Sequence, residues 1–232
     1  MIVAGGALTA AFGLAAYAVR GRSSVLFGPS VWRGPHSRRS VALTFDDGPT
    51  AGTWELLQVL AGHGVPATFF LCGLNAERQP ELAGAVASGG HEIGNHTYSH
   101  SRLYLRSAGF VADEVQRAQE VIVATTGRTP RLFRAPYGAR WFGLRAVQRR
   151  LNLLGVMWTV IGLDWKLAAD RVVGRVLAGV RNGAIICLHD GRGLAPHPDI
   201  RPTLEAVRRL IPALRERGFA FETVSQLLCP TP

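Results

Sequence analysis

From Val41 onward, seven short apolar runs alternate with six amphipathic ones, and this alternation constrains the fold more than any other feature of the chain. The runs 41–46 (VALTFD), 67–72 (ATFFLC), 91–94, 131–134 (RLFR), 154–160 (LGVMWTV), 184–189 (AIICLH) and 219–223 (FAFET) have strand length and strand composition. Segments 53–62, 80–88, 111–126, 143–152, 170–180 and 201–217 carry helical periodicity, several opened by Thr, Pro or Asp and closed by Gly. A parallel strand partner is reached only through a crossover, so strands alternating with helices specify parallel β-α units. An open doubly wound sheet and a barrel both satisfy the pattern. With 232 residues and 47% apolar composition, the chain reads as one catalytic-size domain over 39–232, preceded by a connector at 23–38.

Either architecture presents functional residues at the carboxyl ends of its strands. The polar clusters of this sequence fall there: Asp46 and Asp47 after the first strand, HEIGNHTYSH from the third, RAPYG after the fourth, GLDWK after the fifth and LHD ending the sixth. Adjacent carboxylates repel, so Asp46 and Asp47 need full solvation or something that separates their charge states, and a metal on one of them would do so. His96 and His100 are four apart. One helical turn across HTYSH would aim both imidazoles the same way, and two imidazoles with one carboxylate make a three-ligand centre that leaves room for water. His91 lies within a strand and reads as a backbone-bonded core histidine rather than a further ligand.

The N-terminus differs from the rest. Ile2 to Val19 is an uncharged run, and as a helix of ~1.5 Å per residue it just reaches across a ~30 Å hydrocarbon layer. Residues 1–22 therefore read as a membrane anchor or an uncleaved signal segment; the alternative is export after cleavage near Ala18, where AYA at 16–18 resembles a small-residue cleavage site, against the lack of any Lys or Arg before the apolar run. The arginines that follow (Arg20, Arg22, Arg33, Arg38, Arg39) would hold the C-terminal side in the cytoplasm. The net charge of +10 comes from scattered arginines, Lys166 being the single lysine, and no aromatic-interleaved basic run points to nucleic acid. Cys72, Cys187 and Cys229 lack disulfide or zinc-knuckle spacing.

Five motifs in order, TFDDGP (44–49), HTYSH (96–100), RAPYG (134–138), LDWK (163–166) and LHD (188–190), resemble those of the polysaccharide deacetylases that share the NodB homology domain, carbohydrate esterase family four. The resemblance spans about Val41 to Leu228 and implies a distorted, incomplete (β/α) barrel of about seven parallel strands. It implies one divalent ion, zinc first, on Asp47, His96 and His100, with Asp46 as general base and His189 as general acid oriented by Asp164. Arg134 would hold the base, and Tyr137 would offer its backbone N–H to the oxyanion. Tyr137, Trp165, Cys187 and Leu188 would line the acyl site. Two positions depart from the pattern: Ile161 stands where an aspartate is common, which would weaken the support around His189, and Cys187 where leucine is common, which implies a slightly smaller or differently shaped acyl pocket.

The resemblance further implies an acetylated glycan as partner and an extracytoplasmic catalytic domain, against the arginine distribution. The activity read from all this is removal of N-acetyl groups from N-acetylglucosamine units of peptidoglycan or a chitin-like oligomer. An O-acetyl esterase on xylan or a similar glycan, and a membrane-tethered glycan-binding module without turnover, are the alternatives.

Overall fold

The computed structural model describes residues 13–229. The apolar run expected to anchor the chain lies largely outside the described residues. Among the described residues no helix is long and apolar enough to cross a membrane.

After helix α1 (residues 13–20) come strands β1 (Ser30–Val31) and β2 (Ser40–Asp46), helix α2 (Thr53–Gly62), β3 (Thr68–Leu71), α3 (Gly73–Arg78), α4 (Pro80–Ser88) and β4 (Glu92–Asn95). The chain continues through α5 (Ala108–Thr126), β5 (Leu132–Phe133), α6 (Leu144–Leu151), β6 (Leu154–Val156), β7 (Val160–Ile161), α7 (Ala169–Gly179), β8 (Ala184–His189), α8 (Arg201–Glu216), β9 (Ala220–Phe221) and α9 (Val224–Leu228). Among the described residues nine strands form one sheet in the order β1-β6-β5-β4-β3-β2-β8-β7, with β9 pairing β2, and each of these strand pairings is parallel.

The run 154–160, expected as one strand, is two. β6 pairs with β5 and β1 near one end of the sheet and β7 pairs with β8 at the other, so Met157–Thr159 alone carries the chain from end to end. A link that short spans at most ~3.6 Å per residue, so the two ends of the sheet must curl toward each other. Thr159 fastens the crossing: its N–H donates to Ile185 O, and its hydroxyl donates to Trp32 O and accepts from Ile185 N. The connector at 23–38 supplies β1, which the sequence reading did not place; two residues are too few to show alternation.

Period-two alternation then sorts the strands into an outer and an inner face. On β2, Val41, Leu43 and Phe45 pack outward with Leu56, Leu60, Val207 and Leu210 in the main core. Ala42 faces the inside of the curl with Phe70, Leu132, Val156 and Ile185, and α9 plugs that end with Val224 and Leu227. Thr44 and Asp46 follow Ala42 on the inner side, as Cys187 and His189 follow Ile185 on β8. The curl thus starts apolar at the amino ends of its strands and ends in ionisable groups at the carboxyl ends.

Candidate active site

Strand alternation would send Asp46 and Asp47 to opposite faces. Asp47 escapes this because its φ is 75°, a left-handed turn that brings both carboxylates into one cleft. Behind the turn, a Cβ on Gly48 would lie 2.1 Å from the buried Asp190 Oδ2, so only glycine fits there. Thr97, His100, Tyr137 and Leu163, all at or beside the cleft, also have positive φ. Each such residue costs about 1–3 kcal/mol, and holding several at one rim is the mark of a functional site.

Asp46 is clamped. Arg134 Nη1 donates to its Oδ1 at 2.6 Å, and the Cys187 thiol approaches Oδ2 at 3.5 Å. The Arg134 guanidinium is fully buried and spends its other N–H groups on Thr44 Oγ1 (2.8 Å), Val156 O (3.1 Å) and Met157 O (3.3 Å), with its Cζ 4.1 Å from the Phe70 ring centre. Burial pushes the Cys187 thiol well above its usual range, and the Asp46 charge adds to this, so it stays a donor.

Asp47 sits beside two histidines. His100 Nε2 lies 3.0 Å and His96 Nε2 3.3 Å from its Oδ1, and that oxygen is buried without a hydrogen-bond partner. His96 Nδ1 lies 2.7 Å from Arg134 O; as a donor to that carbonyl it turns the Nε2 lone pair toward Asp47. Tetrahedral ligands about 2.0–2.2 Å from a zinc ion stand roughly 3.3 Å apart, close to the two separations seen here. All three ligand atoms lie within 4.8 Å of one another, so the residues fit a divalent ion. Burial works to raise the Asp47 pKa, but the two imidazoles outweigh it and hold the carboxyl well below its usual range. Gly193 N–H donates to Asp47 Oδ2 (2.8 Å), and Asn75 Nδ2 bridges Asp47 O and Gly193 O.

The HTYSH segment is not a helical turn. Asn95 Oδ1 accepts from Thr97 N–H, Glu114 accepts from both the amide and the hydroxyl of Ser99, and Thr97 and His100 are left-handed. These side-chain anchors compete with helical hydrogen bonds and win, yet the two imidazoles still converge, with ring centroids 5.1 Å apart. His91 lies just before β4, at the far end from the cleft, where its Nδ1 accepts from Ala67 N–H; burial lowers its pKa to about 4.

Across the cleft, Asp164 Oδ1 is 2.9 Å from His189 Nδ1, while its Oδ2 accepts from His189 N–H and Thr203 Oγ1. Burial disfavours the charged imidazole, but the Asp164 charge and hydrogen bond prevail and raise the His189 pKa to about 9. The Trp165 ring packs edge-on against His189 at 4.7 Å.

The cleft, of about 560 Å³, is lined by Asp46, Asp47, His96, His100, Tyr137, Trp165, Cys187 and His189, together with Trp158, Ile161, Leu163, Arg20 and Arg192. Leu188 is the exception among the expected lining residues. It faces outward on β8 into the main core, one residue out of phase with Cys187 and His189. Trp158 and Arg20 carried no motif signal, since the first lies in the crossing and the second in α1.

The polysaccharide deacetylase family model matches residues 33–156, more than half of the sequence. The chain belongs to the polysaccharide deacetylase family. Its curated relatives that are named as deacetylases are hydrolases acting on N-acetyl amide bonds. A chitooligosaccharide deacetylase of Bradyrhizobium sp. (strain ANU 289) is 41% identical over 82% of this chain and 90% of the relative. The crystal structure of the Bc1960 peptidoglycan N-acetylglucosamine deacetylase, bound to a naphthalenyl N-hydroxybenzamide, superposes with a TM-score of 0.81 at 33% identity, covering 86% of this chain and 92% of that one. BA3943, a pseudoenzyme of the same family from Bacillus anthracis, superposes with a TM-score of 0.79 at 27% identity over 86% and 69% of the two chains. The incomplete barrel expected of this deacetylase family is the fold observed.

Proposed function

We propose that this protein is a zinc-dependent deacetylase that removes N-acetyl groups from N-acetylglucosamine units of a glycan, peptidoglycan or a chitin-like oligomer. The observation that carries the reading is the division of labour between adjacent aspartates: Asp47 turns its unpartnered Oδ1 to two imidazoles, while Asp46 is held by Arg134 and kept apart from them. The names of the relatives above supply the substrate class.

Asp47, His96 and His100 would hold the ion, which when bound polarises the substrate carbonyl and makes water acidic enough to lose a proton near neutral pH. Asp46 takes that proton as the water oxygen attacks the acetamide carbon. The Tyr137 backbone N–H donates to the developing oxyanion. As the C–N bond breaks, His189, an imidazolium at neutral pH, gives its proton to the departing nitrogen; acetate and a free amine remain. Asp164 keeps His189 charged and aimed. Cys187, Trp165 and Tyr137 border the acyl site. The presence of all these residues in the sequence supports turnover over a binding module.

We also propose that residues 2–19 tether the domain to a membrane with the catalytic domain outside the cytoplasm, and a reporter fused after Pro232 distinguishes the two orientations. For the activity, acetate release is measured on N-acetylglucosamine oligomers, peptidoglycan and acetylated xylan. Release from either of the first two supports the reading; release from xylan alone moves the assignment to an O-acetyl esterase.

A further inference from the structure

The cleft contains positive charge that the reaction does not use. Arg20 and Arg192 line it, and the Arg102 guanidinium lies 5.4 Å from the centre of the Tyr137 ring at its edge. The carboxylates of the cleft are committed elsewhere: Asp46 to Arg134, Asp47 to the two imidazoles, Asp164 to His189. Among the described residues, no ion pair includes Arg20, Arg102 or Arg192. Arg192 makes its hydrogen bonds to backbone carbonyls, those of Gly191, Asp164 and Asp199, and forms no close ion pair, while its charge helps hold the Asp164 and Asp199 carboxyls below their usual range.

Arg20 reaches the cleft from outside the region matched by the family model, which begins at residue 33. Its placement is built rather than incidental. Arg140, a buried residue four positions after Pro136, grips the chain on both sides of it: the Arg140 amide donates to Val19 O at 3.0 Å, and the guanidinium donates to Gly21 O and to Ser24 O. Arg22 adds a bond to Thr159 O at 2.5 Å, on the crossing between β6 and β7. The backbone carrying Arg20 is thus pinned at residues 19, 21 and 24, with the Arg22 side chain as a further anchor, and the Arg20 side chain is left exposed at the cleft.

Guanidinium groups without carboxylate partners, beside a groove that receives a sugar, match a substituent with fixed negative charge. We infer that Arg20, Arg102 and Arg192 form an anion subsite, and that the preferred substrate is an acetylated glycan carrying a phosphate or carboxylate group next to the acetamido sugar under attack. This rests on the deacetylase reading above and narrows its substrate class. A neutral oligomer would reach the same catalytic groups but leave the arginines unpaired.

The test compares kcat/KM for acetate release from three soluble substrates of equal length: a neutral N-acetylglucosamine oligomer, the same oligomer as its reducing-end phosphate, and one with carboxylate-bearing sugars. An anionic substrate should be favoured by about tenfold or more at low salt, the scale of one charge-assisted hydrogen bond. That ratio should shrink as ionic strength passes ~0.1 M and the arginines are screened. Arg20→Gln and Arg102→Gln should each lower the ratio toward one, while Arg20→Lys should retain most of it. Comparing the phosphate and carboxylate arms identifies which anion is read. Equal turnover of all three substrates, or a ratio unchanged in Arg20→Gln with its melting temperature preserved, overturns the subsite while leaving the deacetylase reading standing. Release from none of the three overturns both.

Discussion

Arg134 Nη1 lies 2.6 Å from Asp46 Oδ1, and both side chains are buried at the inner end of the sheet. The pair joins the end of β2 to the residue that follows β5, and the remaining guanidinium bonds tie it to the crossing at Val156 and Met157. One contact therefore fixes Asp46 and supports the curl of the sheet.

Breaking that contact should damage both. Arg134→Met removes one partner of a buried ion pair, which costs about 3–5 kcal/mol, read as a lower urea midpoint. Asp46→Asn should lower kcat by at least about 100-fold, the loss expected of a general base. Because the partners touch, the stability losses in the double variant should fall short of their sum. Additive losses would mean that the two side chains act independently.

The acid side makes a prediction with a definite sign. His189 has its pKa raised to about 9, so kcat should fall as pH rises through about 9 and the imidazolium is lost. Asp164→Asn removes the charge responsible and should move that limb toward lower pH. The raised pKa also adds stability that is fully present below the ordinary histidine value of ~6.5 and disappears through about pH 9. A basic limb identical in wild type and Asp164→Asn would remove His189 from the role of acid.

Cys187 offers a test of acyl selectivity. Its small side chain borders the cleft where leucine would be bulkier, and its thiol also contacts Asp46 Oδ2. Cys187→Leu should cut turnover of N-propionyl oligomers relative to N-acetyl oligomers by about tenfold or more, the discrimination available from a methylene in an apolar pocket. An unchanged acetyl-to-propionyl ratio would place the acyl group elsewhere.

Much of this was legible in the sequence because β-α alternation and strand-end polarity are local signals. Every expected helix has its counterpart, within a few residues at its ends. What escaped depends on backbone conformation or on contacts distant in sequence. The left-handed turn at Asp47 put both carboxylates in one cleft, and the anchors on Ser99 replaced the expected helical turn. Leu188 was misassigned because a motif gives residue identity but not strand phase. Arg20 could not have been found from the motifs, since only the grip of Arg140, far along the chain, brings it to the cleft.

The most direct test of the account is titration of chelated, metal-free protein with zinc while acetate release from an N-acetylglucosamine oligomer is followed. Activity should return in proportion to about one bound ion per chain, with Asp47→Ala binding little metal and recovering no turnover. Full activity in the chelated protein, or recovery by Asp47→Ala equal to wild type, would contradict the central claim that Asp47, His96 and His100 hold the catalytic ion.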